Sequence, residues 1–274
     1  MRLVLKINRA TAGNSETQRK LTNAVVRLLG DGHRLVIIAP EGPVHPEKGA
    51  QETAPLHFNG NKYKNGASMV DRNVVCQESR FLAARLSHAG VPSMALSGTD
   101  AGICRLRKRC HNSVKTAFAI EISSVDPRWI ELICSNGGVP VLSNWVMDNS
   151  SEFHLADPDQ MASACAIYWN ADALIYLTDH QGITNASGTV IRWLDVAAHG
   201  HHGSGNGAIA DSVVEGCKHA LQRGVRRTRI LPAASLDSLP LFYFARIEEG
   251  TEVVLSAGEK SLAESCHSAK SNSI

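Results

Sequence analysis

Polar residues that could bind a ligand follow one unbroken apolar run of the sequence. The run from Ala173 to Leu177 is too short for a helix and too apolar for a half-exposed strand. It is typical of a parallel strand covered by helices on both faces. Thr178 and Asp179 come directly after it, and Gly182 permits a sharp turn nearby. Since ligands of open α/β sheets bind at the carboxyl ends of strands, these residues predict a small-molecule or nucleotide site. An Asp in this position can also be a simple turn former.

Two further groups of residues could carry chemistry. The first is a histidine-rich loop that contains His199, His201 and His202. Imidazoles could offer charge to a phosphate or bind a metal, but a solvated loop also explains them, and no carboxylate or Cys lies at ligand spacing. The second is a basic cluster of Arg105, Arg107, Lys108 and Arg109. It could dock an acidic carrier protein or an anionic substrate, or form a solvated face.

The elements that would position these residues alternate between strands and helices. Arg2 to Ile7 is predicted as a strand, residues 16–29 as an amphipathic helix, and Leu35 to Ala39 as a second buried strand. This order is the opening of a doubly wound α/β sheet. Residues 44–70 are polar and lack periodicity, which predicts a lid or substrate loop.

The same alternation continues along the chain. Helices are predicted at about 71–88, 129–134, 160–169 and 209–223, and strands at 92–96, 139–145, 173–177, 228–231 and 252–255. Residues 184–190 are typical of a turn or hairpin. From residue 257 onward the chain is small and polar, which predicts a disordered tail.

Composition narrows the class of protein. Hydrophobic residues make up 43% and charged residues 20% of 274 residues, which fits a soluble globular protein. The net charge of +2 gives no general preference for nucleic acid or anionic lipid. Seven dispersed Cys without a CxxC motif indicate reduced, mostly buried thiols. No signal peptide or membrane-length apolar run is present, so we expect a cytoplasmic protein with no nucleic-acid or membrane partner.

Several sequence blocks, in order, carry a family resemblance. They are LVLKI at 3–7, RLVIIAPEGP at 34–43, NGASMVD at 65–71, GVPSMALSGTDAG at 90–102, GGVPVLS at 137–143, DPDQMASACA at 157–166, NADALIYLTDHQGI at 170–183, HALQRGV at 219–225 and EEGTEVV at 248–254. Together they resemble the acetylglutamate kinase branch of the amino-acid kinase family, which includes relatives that phosphorylate aminoadipate held on a carrier protein. The two blocks between 157 and 183 are the most specific.

The resemblance implies a fold, a reaction and partners. The fold is a three-layer αβα sandwich around a largely parallel sheet, usually built into homodimers. The reaction transfers the γ-phosphate of ATP, with Mg²⁺, to a carboxylate of a small amino-acid derivative, either free or linked to a carrier protein. The chain would divide into an acceptor-substrate lobe at about 1–155 and a nucleotide lobe at about 156–256, followed by the tail at 257–274.

The resemblance also implies roles for single residues. Lys6 matches the family's first lysine, which lies against the transferred phosphate, although a solvated Lys at a strand end is the simpler alternative. Asp159 matches the carboxylate that holds the catalytic lysines, or else it is only a first-turn cap. The nucleotide contacts would be Thr178 and Asp179, with Gly182 shaping their loop. The acceptor-binding positions would be Gly42, Gly66 and Ser68.

The chain departs from the family pattern at several of these positions. The first glycine-rich turn reads NRATAG, and the second reads Pro40-Glu41-Gly42. The arginine for the substrate carboxylate falls on Ser68 and an asparagine falls on Leu155. The second lysine falls within residues 211–213, which read Asp, Ser and Val, none of them basic.

These departures leave two hypotheses open. Removal of one preorganised donor typically costs about 10²–10³ in rate, so ordinary acetylglutamate kinase activity is not expected. The chain is either a divergent kinase for a different acceptor in specialised metabolism, or a catalytically degraded kinase fold. In the second case it would serve as a binding or regulatory subunit or carry a repurposed activity, since a fold alone does not settle function.

Overall fold

The protein is described from a computed structural model that covers residues 1–8, 15–39, 69–108, 120–151, 153–197, 209, 211–239 and 249–256. The described residues form an eight-stranded sheet and two separate hairpins. The strands of the sheet are β1 (Arg2–Ile7), β2 (Arg34–Ile38), β3 (Ser93–Ser97), β6 (Val139–Ser143), β9 (Ala173–Thr178), β10 (Trp193–Asp195), β11 (Arg227–Pro232) and β12 (Thr251–Val254). The hairpins are β4 (Cys104–Lys108) with β5 (Ile120–Val125), and β7 (Trp145–Met147) with β8 (Phe153–Leu155).

The sheet has the strand order β10-β12-β11-β9-β1-β2-β6-β3. Its neighbours pair in parallel except for the antiparallel pair β11–β12. The strands β1 and β9 therefore lie at the middle, where helices cover both faces. All six residues of β9 are buried, which explains why its sequence lacks the alternation of a half-exposed strand.

Helices cover both faces of the sheet. They are α1 (Ser15–Gly30), α2 (Met69–His88), α3 (Arg128–Ser135), α4 (Pro158–Tyr168) and α5 (Asp211–Gln222), with short 3-10 turns at Asp100–Gly102 and Ala233–Ser238. One core cluster packs α1 and α2 on the sheet, and the other packs α3, α4 and α5 on the opposite face. The architecture is a three-layer αβα sandwich with a largely parallel sheet, and the predicted fold class is confirmed.

The pleat of β1 decides where its single charged core residue points. Leu3, Leu5 and Ile7 belong to the cluster beneath α1 and α2, whereas Val4 belongs to the cluster beneath α4 and α5. Because side chains alternate between the faces of a strand, Lys6 shares the face of Val4. Its side chain therefore enters the α4–α5 layer at the carboxyl end of the strand.

Most predicted elements lie within two residues of the observed ones. The main difference is at the end of β6, which was expected to reach Trp145 but ends at Ser143, because Trp145 begins the β7–β8 hairpin instead. The predicted hairpin at 184–190 corresponds to an isolated antiparallel bridge between Thr184 and Val190. The division into two lobes stays a prediction. No described helix has the length and hydropathy that crossing a bilayer requires.

The buried thiols give a test of the packing around the sheet. Four free cysteines are buried, namely Cys104, Cys134, Cys165 and Cys217. Burial raises the pKa of Cys104 and of Cys217 to about 12. Burial also raises the pKa of Cys134 to about 12 and that of Cys165 well above its ordinary value.

Because the thiolate is the reactive form, we expect these four residues to resist a disulfide reagent such as DTNB at neutral pH. Of the seven Cys in the chain, no more than the other three should react quickly in the native protein. All seven should react after denaturation in guanidinium chloride. Rapid native reaction of more than three thiols would contradict the described core.

Candidate functional site

The carboxyl ends of the two central strands meet at one edge of the sheet. Lys6 pairs in register with Tyr176, and Ile7 with Leu177. The next residue of the first strand, Asn8, donates a hydrogen bond from Nδ2 to Oδ1 of Asp179 at 3.0 Å. This contact ties the chain leaving β1 to the chain leaving β9, at the edge where α/β sheets bind ligands.

A buried ion pair lies just inside this edge. The ammonium of Lys6 is 2.8 Å from Oδ1 of Asp159, and their side chains are only 9% and 4% exposed. Ions are rarely this buried unless they are paired or bind a ligand. A lysine ammonium has three donors, and among the described residues Asp159 is its ion-pair partner. Lys6 and Asp159, which the sequence predicted to act together, are therefore in direct contact.

The start of α4 fixes the carboxylate of this pair. Asp157 is the N-cap, and its side chain accepts hydrogen bonds from the backbone N–H groups of Asp159 and Gln160. Pro158 occupies the first turn, where its missing N–H costs nothing. The DPDQ block is thus a helix start that places Asp159 in the first turn of α4, pointing at β1.

Two hydroxyl groups complete the surroundings of Asp159. Ser212, the second residue of α5, donates from Oγ to Oδ2 of Asp159 at 2.6 Å. Tyr176, on β9, donates from its hydroxyl to the backbone carbonyl of Asp159 at 3.0 Å. Burial raises the pKa of Tyr176 well above its ordinary value, so its hydroxyl remains a donor at neutral pH.

A glycine lets α5 approach this cluster. Gly216 follows Ser212 by one helical turn, on the same face of α5. A Cβ atom at Gly216 would lie 2.3 Å from the hydroxyl oxygen of Tyr176. Any other residue there would push α5 away from Tyr176, and with it the hydroxyl of Ser212 away from Asp159.

The loop after β9 is shaped by local hydrogen bonds and one glycine. Thr178 Oγ1 donates to the carbonyl of His180 and accepts from its backbone N–H. Gly182 has φ +133°, and a Cβ there would lie 2.8 Å from Oγ1 of Thr251. Asp179 remains half exposed beside the end of β1. Thr178, Asp179 and Gly182 thus lie at the predicted edge, within reach of a ligand placed over β1 and β9.

Some predicted residues cannot be placed, and some site residues escaped prediction. Several predicted residues lie outside the described residues. They are the acceptor-binding positions Gly42, Gly66 and Ser68, the histidines His199, His201 and His202, and Arg109 of the basic cluster.

Ser212 was one of three positions on which the family's second lysine could fall, and Val213 is instead buried in the core. No sequence pattern indicated that Asn8 and Tyr176 belong to the site, because their contacts join segments distant in sequence.

The tryptophans are distributed between core and surface. Trp145 and Trp169 are almost fully buried, whereas Trp193 on the edge strand β10 is exposed. Trp169 donates from Nε1 to Glu131, which also pairs with Arg2, and these contacts lie at the amino end of β1. They are therefore remote from Lys6 at the other end of that strand.

The fold and the site together define an αβα protein with a buried lysine–aspartate pair at the carboxyl ends of the central strands of its sheet. Comparison with known proteins assigns the family. The model of the amino acid kinase family matches residues 1–232, and the chain belongs to this family. The resemblance identified from the sequence is thereby confirmed.

Curated relatives match over nearly their whole length. An acetylglutamate kinase of Acidobacterium capsulatum is 34% identical over 265 residues, covering 93% of this chain and 100% of the relative. An acetylglutamate kinase of Koribacter versatilis is 32% identical over 267 residues, covering 93% of this chain and 99% of the relative.

Solved structures support the fold. N-acetylglutamate synthase from Neisseria gonorrhoeae, complexed with coenzyme A and N-acetyl-glutamate, matches with a TM-score of 0.71 and 22% identity. The match covers 93% of this chain but only 60% of that longer chain. An isopentenyl phosphate kinase matches with a TM-score of 0.56 and 15% identity, over 93% of this chain and 100% of that chain.

The close approach of α5 gives a testable consequence. We expect Gly216→Ala to destabilise the protein by about 1–3 kcal/mol, because the added methyl group overlaps the Tyr176 hydroxyl. Thermal and urea unfolding of the purified variant would measure this loss. Gly30→Ala is the matched control, since a Cβ at Gly30 meets nothing within 4 Å. Equal stability of the two variants would mean that α5 does not pack against Tyr176 at Gly216 as described.

Proposed function

We propose that the protein transfers the γ-phosphoryl group of ATP to a carboxylate of a small amino-acid derivative. The products are an acyl phosphate and ADP. The observation that carries the proposal is the buried ion pair of Lys6 and Asp159 at the carboxyl end of β1. Membership of the amino acid kinase family and relatives named acetylglutamate kinase support the same reaction class.

Lys6 supplies the charge that this reaction needs. Phosphoryl transfer requires mostly positioning and stabilisation of charge on the transferred group. The Lys6 ammonium is paired by charge with Asp159 at 2.8 Å, and its N–H groups would donate to oxygens of the γ-phosphate. In a nearly dry site such a donor stabilises the developing charge far more than it would in water.

The reaction needs no general base. A carboxylate acceptor is already ionised at neutral pH, so its oxygen forms the new bond to phosphorus without losing a proton. The bond between the γ-phosphorus and the bridging oxygen breaks, and its electron pair leaves with ADP. Asp159, whose two oxygens are already engaged by Lys6 and Ser212, is thus a positioning group for the cation.

The nucleotide would lie over the ends of β1 and β9. We assign Thr178, Asp179 and Gly182 to this side because they surround the edge where Lys6 emerges. Mg²⁺ bound to the ATP phosphates would neutralise charge on them. The described residues contain no group of three His, Cys, Asp or Glu side chains that could hold a metal. That arrangement fits Mg²⁺ that keeps phosphate and water ligands.

The acceptor differs, in our proposal, from that of the acetylglutamate kinases. Ser68 stands where the family resemblance predicts an arginine for the substrate carboxylate, and Leu155 stands where it predicts an asparagine. Loss of a bidentate carboxylate clamp and of an amide changes which groups can be recognised. We therefore place the reaction in specialised metabolism, with an acceptor that is either free or linked to a carrier protein.

A non-catalytic binding or regulatory subunit is the second candidate. The observation that favours it is the hydroxyl of Ser212 beside Asp159, where the family resemblance predicts a second cation nearby. Such a protein would bind nucleotide through the same edge but would form no acyl phosphate. Measurement of binding and of turnover on the same samples separates the two candidates.

The test uses ATP–Mg²⁺ and a panel of amino-acid derivatives that includes N-acetyl-L-glutamate. We expect calorimetric binding of ATP–Mg²⁺ and a hydroxylamine-trappable acyl phosphate with at least one acceptor. Lys6→Met should lower turnover by about 10²–10³, and Lys20→Met, on α1 and paired with Glu16, should leave it unchanged.

The double variant Lys6→Met/Asp159→Asn controls for stability. Removal of Lys6 alone leaves a buried carboxylate without its cation, which costs several kcal/mol, about 3–5. The double variant removes both charges and should recover part of that stability without recovering turnover. No binding at millimolar nucleotide would exclude the kinase, whereas binding without acyl phosphate would favour the non-catalytic subunit.

We also propose that the protein forms a homodimer through β3. This strand lies at one end of the sheet formed by the described residues. Large apolar side chains flank it in exposed positions: Phe81 on α2 is 62% exposed and Met94 on β3 itself is 51% exposed. Trp129 and Leu132 on α3 are exposed as well. An edge that no described strand pairs with, and that has apolar flanks, can pair with the same edge of a second copy about a two-fold axis.

Charge at this edge should separate the subunits. We expect the double variant Phe81→Glu/Met94→Lys to shift a dimer toward monomer in analytical ultracentrifugation, because both changes place ions in an apolar contact. Trp193→Glu, on the opposite edge strand β10, is the control and should leave the assembly unchanged. A native protein that sediments as a monomer at all concentrations would refute this interface.

A further inference from the structure

We propose that Ser212 is a positioning residue that keeps the Lys6 ammonium available for the γ-phosphate. It does so by occupying the oxygen of Asp159 that Lys6 does not use. The inference rests on the proposed binding of nucleotide at this site and adds a residue to which that proposal gives no role. It concerns a single hydroxyl group in a partly buried contact.

The two oxygens of the Asp159 carboxylate have different partners. Oδ1 lies 2.8 Å from the Lys6 ammonium, and Oδ2 accepts a hydrogen bond from Ser212 Oγ at 2.6 Å. Hydrogen bonds to ionised acceptors are short and stronger than neutral ones. The backbone of Asp159 is also held by Asp157 and Tyr176, so the carboxylate starts from a fixed position in the first turn of α4.

This arrangement limits how much of the lysine Asp159 can engage. With Oδ2 held by Ser212, Oδ1 is the oxygen beside the ammonium, at 2.8 Å but without the geometry of a hydrogen bond. Without the hydroxyl, Oδ2 would be a buried acceptor with no partner, which is unfavourable. The carboxylate would then turn toward Lys6 and accept hydrogen bonds from its ammonium. Lys6 would have less hydrogen-bonding capacity left for a phosphate.

The chemistry of a hydroxyl suits this role better than that of a charged group. Ser212 donates to Asp159 without adding charge, so Lys6 and Asp159 remain a neutral pair and Lys6 is the cation of the described cluster. Its side chain is short, and α5 approaches closely enough for it only because residue 216 is a glycine. The hydroxyl and the glycine are therefore two parts of one packing arrangement.

The experiment compares the affinities of the full-length protein for ATP–Mg²⁺ and ADP–Mg²⁺ by calorimetry. The ratio of the two isolates the contribution of the γ-phosphate, and it does not require the acceptor to be known. For Ser212→Ala we expect the preference for ATP over ADP to fall about tenfold, roughly the effect of one hydrogen bond to a charged group, with ADP affinity unchanged. Ser212→Thr keeps the hydroxyl and should preserve the preference.

Ser163→Ala is the matched control. Ser163 lies on α4 and faces His219 of α5 at 3.4 Å, so its removal also deletes a hydroxyl between these helices, but without touching Asp159. It should leave the preference for ATP intact. Where an acceptor is turned over, Ser212→Ala should raise the KM for ATP–Mg²⁺ in line with its weaker binding of ATP–Mg²⁺.

Five outcomes would overturn the inference. An unchanged ATP preference in Ser212→Ala, when Lys6→Met abolishes it, would show that Ser212 does not act through Lys6. A parallel loss of ATP and ADP affinity, or the same loss in Ser163→Ala, would show general loosening of the α4–α5 contact. Failure of Ser212→Thr to preserve the preference would exclude the hydroxyl as the cause. Absence of nucleotide binding in the native protein would remove the proposed function itself, and this inference with it.

Discussion

The structure depends on one buried ion pair, the contact between Lys6 and Asp159. Burial of two charges is costly, and their attraction offsets that cost only when the remaining hydrogen-bonding capacity is also satisfied. Here Asp159 has a lysine on one oxygen and a serine hydroxyl on the other. Lys6 lies at the carboxyl end of β1, the edge at which α/β sheets commonly bind ligands. A buried lysine paired by charge with a single carboxylate suits the binding of an anion.

Two helices meet at this pair, and a specific local feature positions each of them. The start of α4 is set by the Asp157 cap and Pro158, so Asp159 falls in the first turn. The position of α5 depends on Gly216. Because Gly216 leaves room for the Tyr176 hydroxyl, α5 packs closely enough for Ser212 to reach Asp159. The central strands contribute Lys6 and Tyr176 at the same level. The site is therefore built from the middle layer and one outer layer of the sandwich, and displacement of either helix would change it.

Much of this organisation could be predicted. The apolar run of β9 indicated a strand buried on both faces, and the alternation of elements indicated a doubly wound sheet, since both patterns arise from local geometry. Asp159 and Lys6 could be matched as a pair only through the family resemblance. Their sequence separation is 153, and local sequence patterns do not predict contacts over such a separation. The end of β6 was misplaced because the apolar Trp145 was assigned to the strand, and hydrophobicity does not distinguish a sheet strand from the hairpin that follows it.

The sequence by itself determined the order of strands and helices, the family, and the residue types that could carry charge at the site. It did so because secondary-structure periodicity and helix caps are local properties of the chain. Tertiary structure alone decided that Ser212, among three candidate positions, contacts Asp159, and that Asn8 contacts Asp179. Those contacts depend on the rotation and depth of α5 and on the register of β1 against β9. Both are set by packing across the whole core, in which a single Cβ at Gly216 is enough to change the distance between two layers.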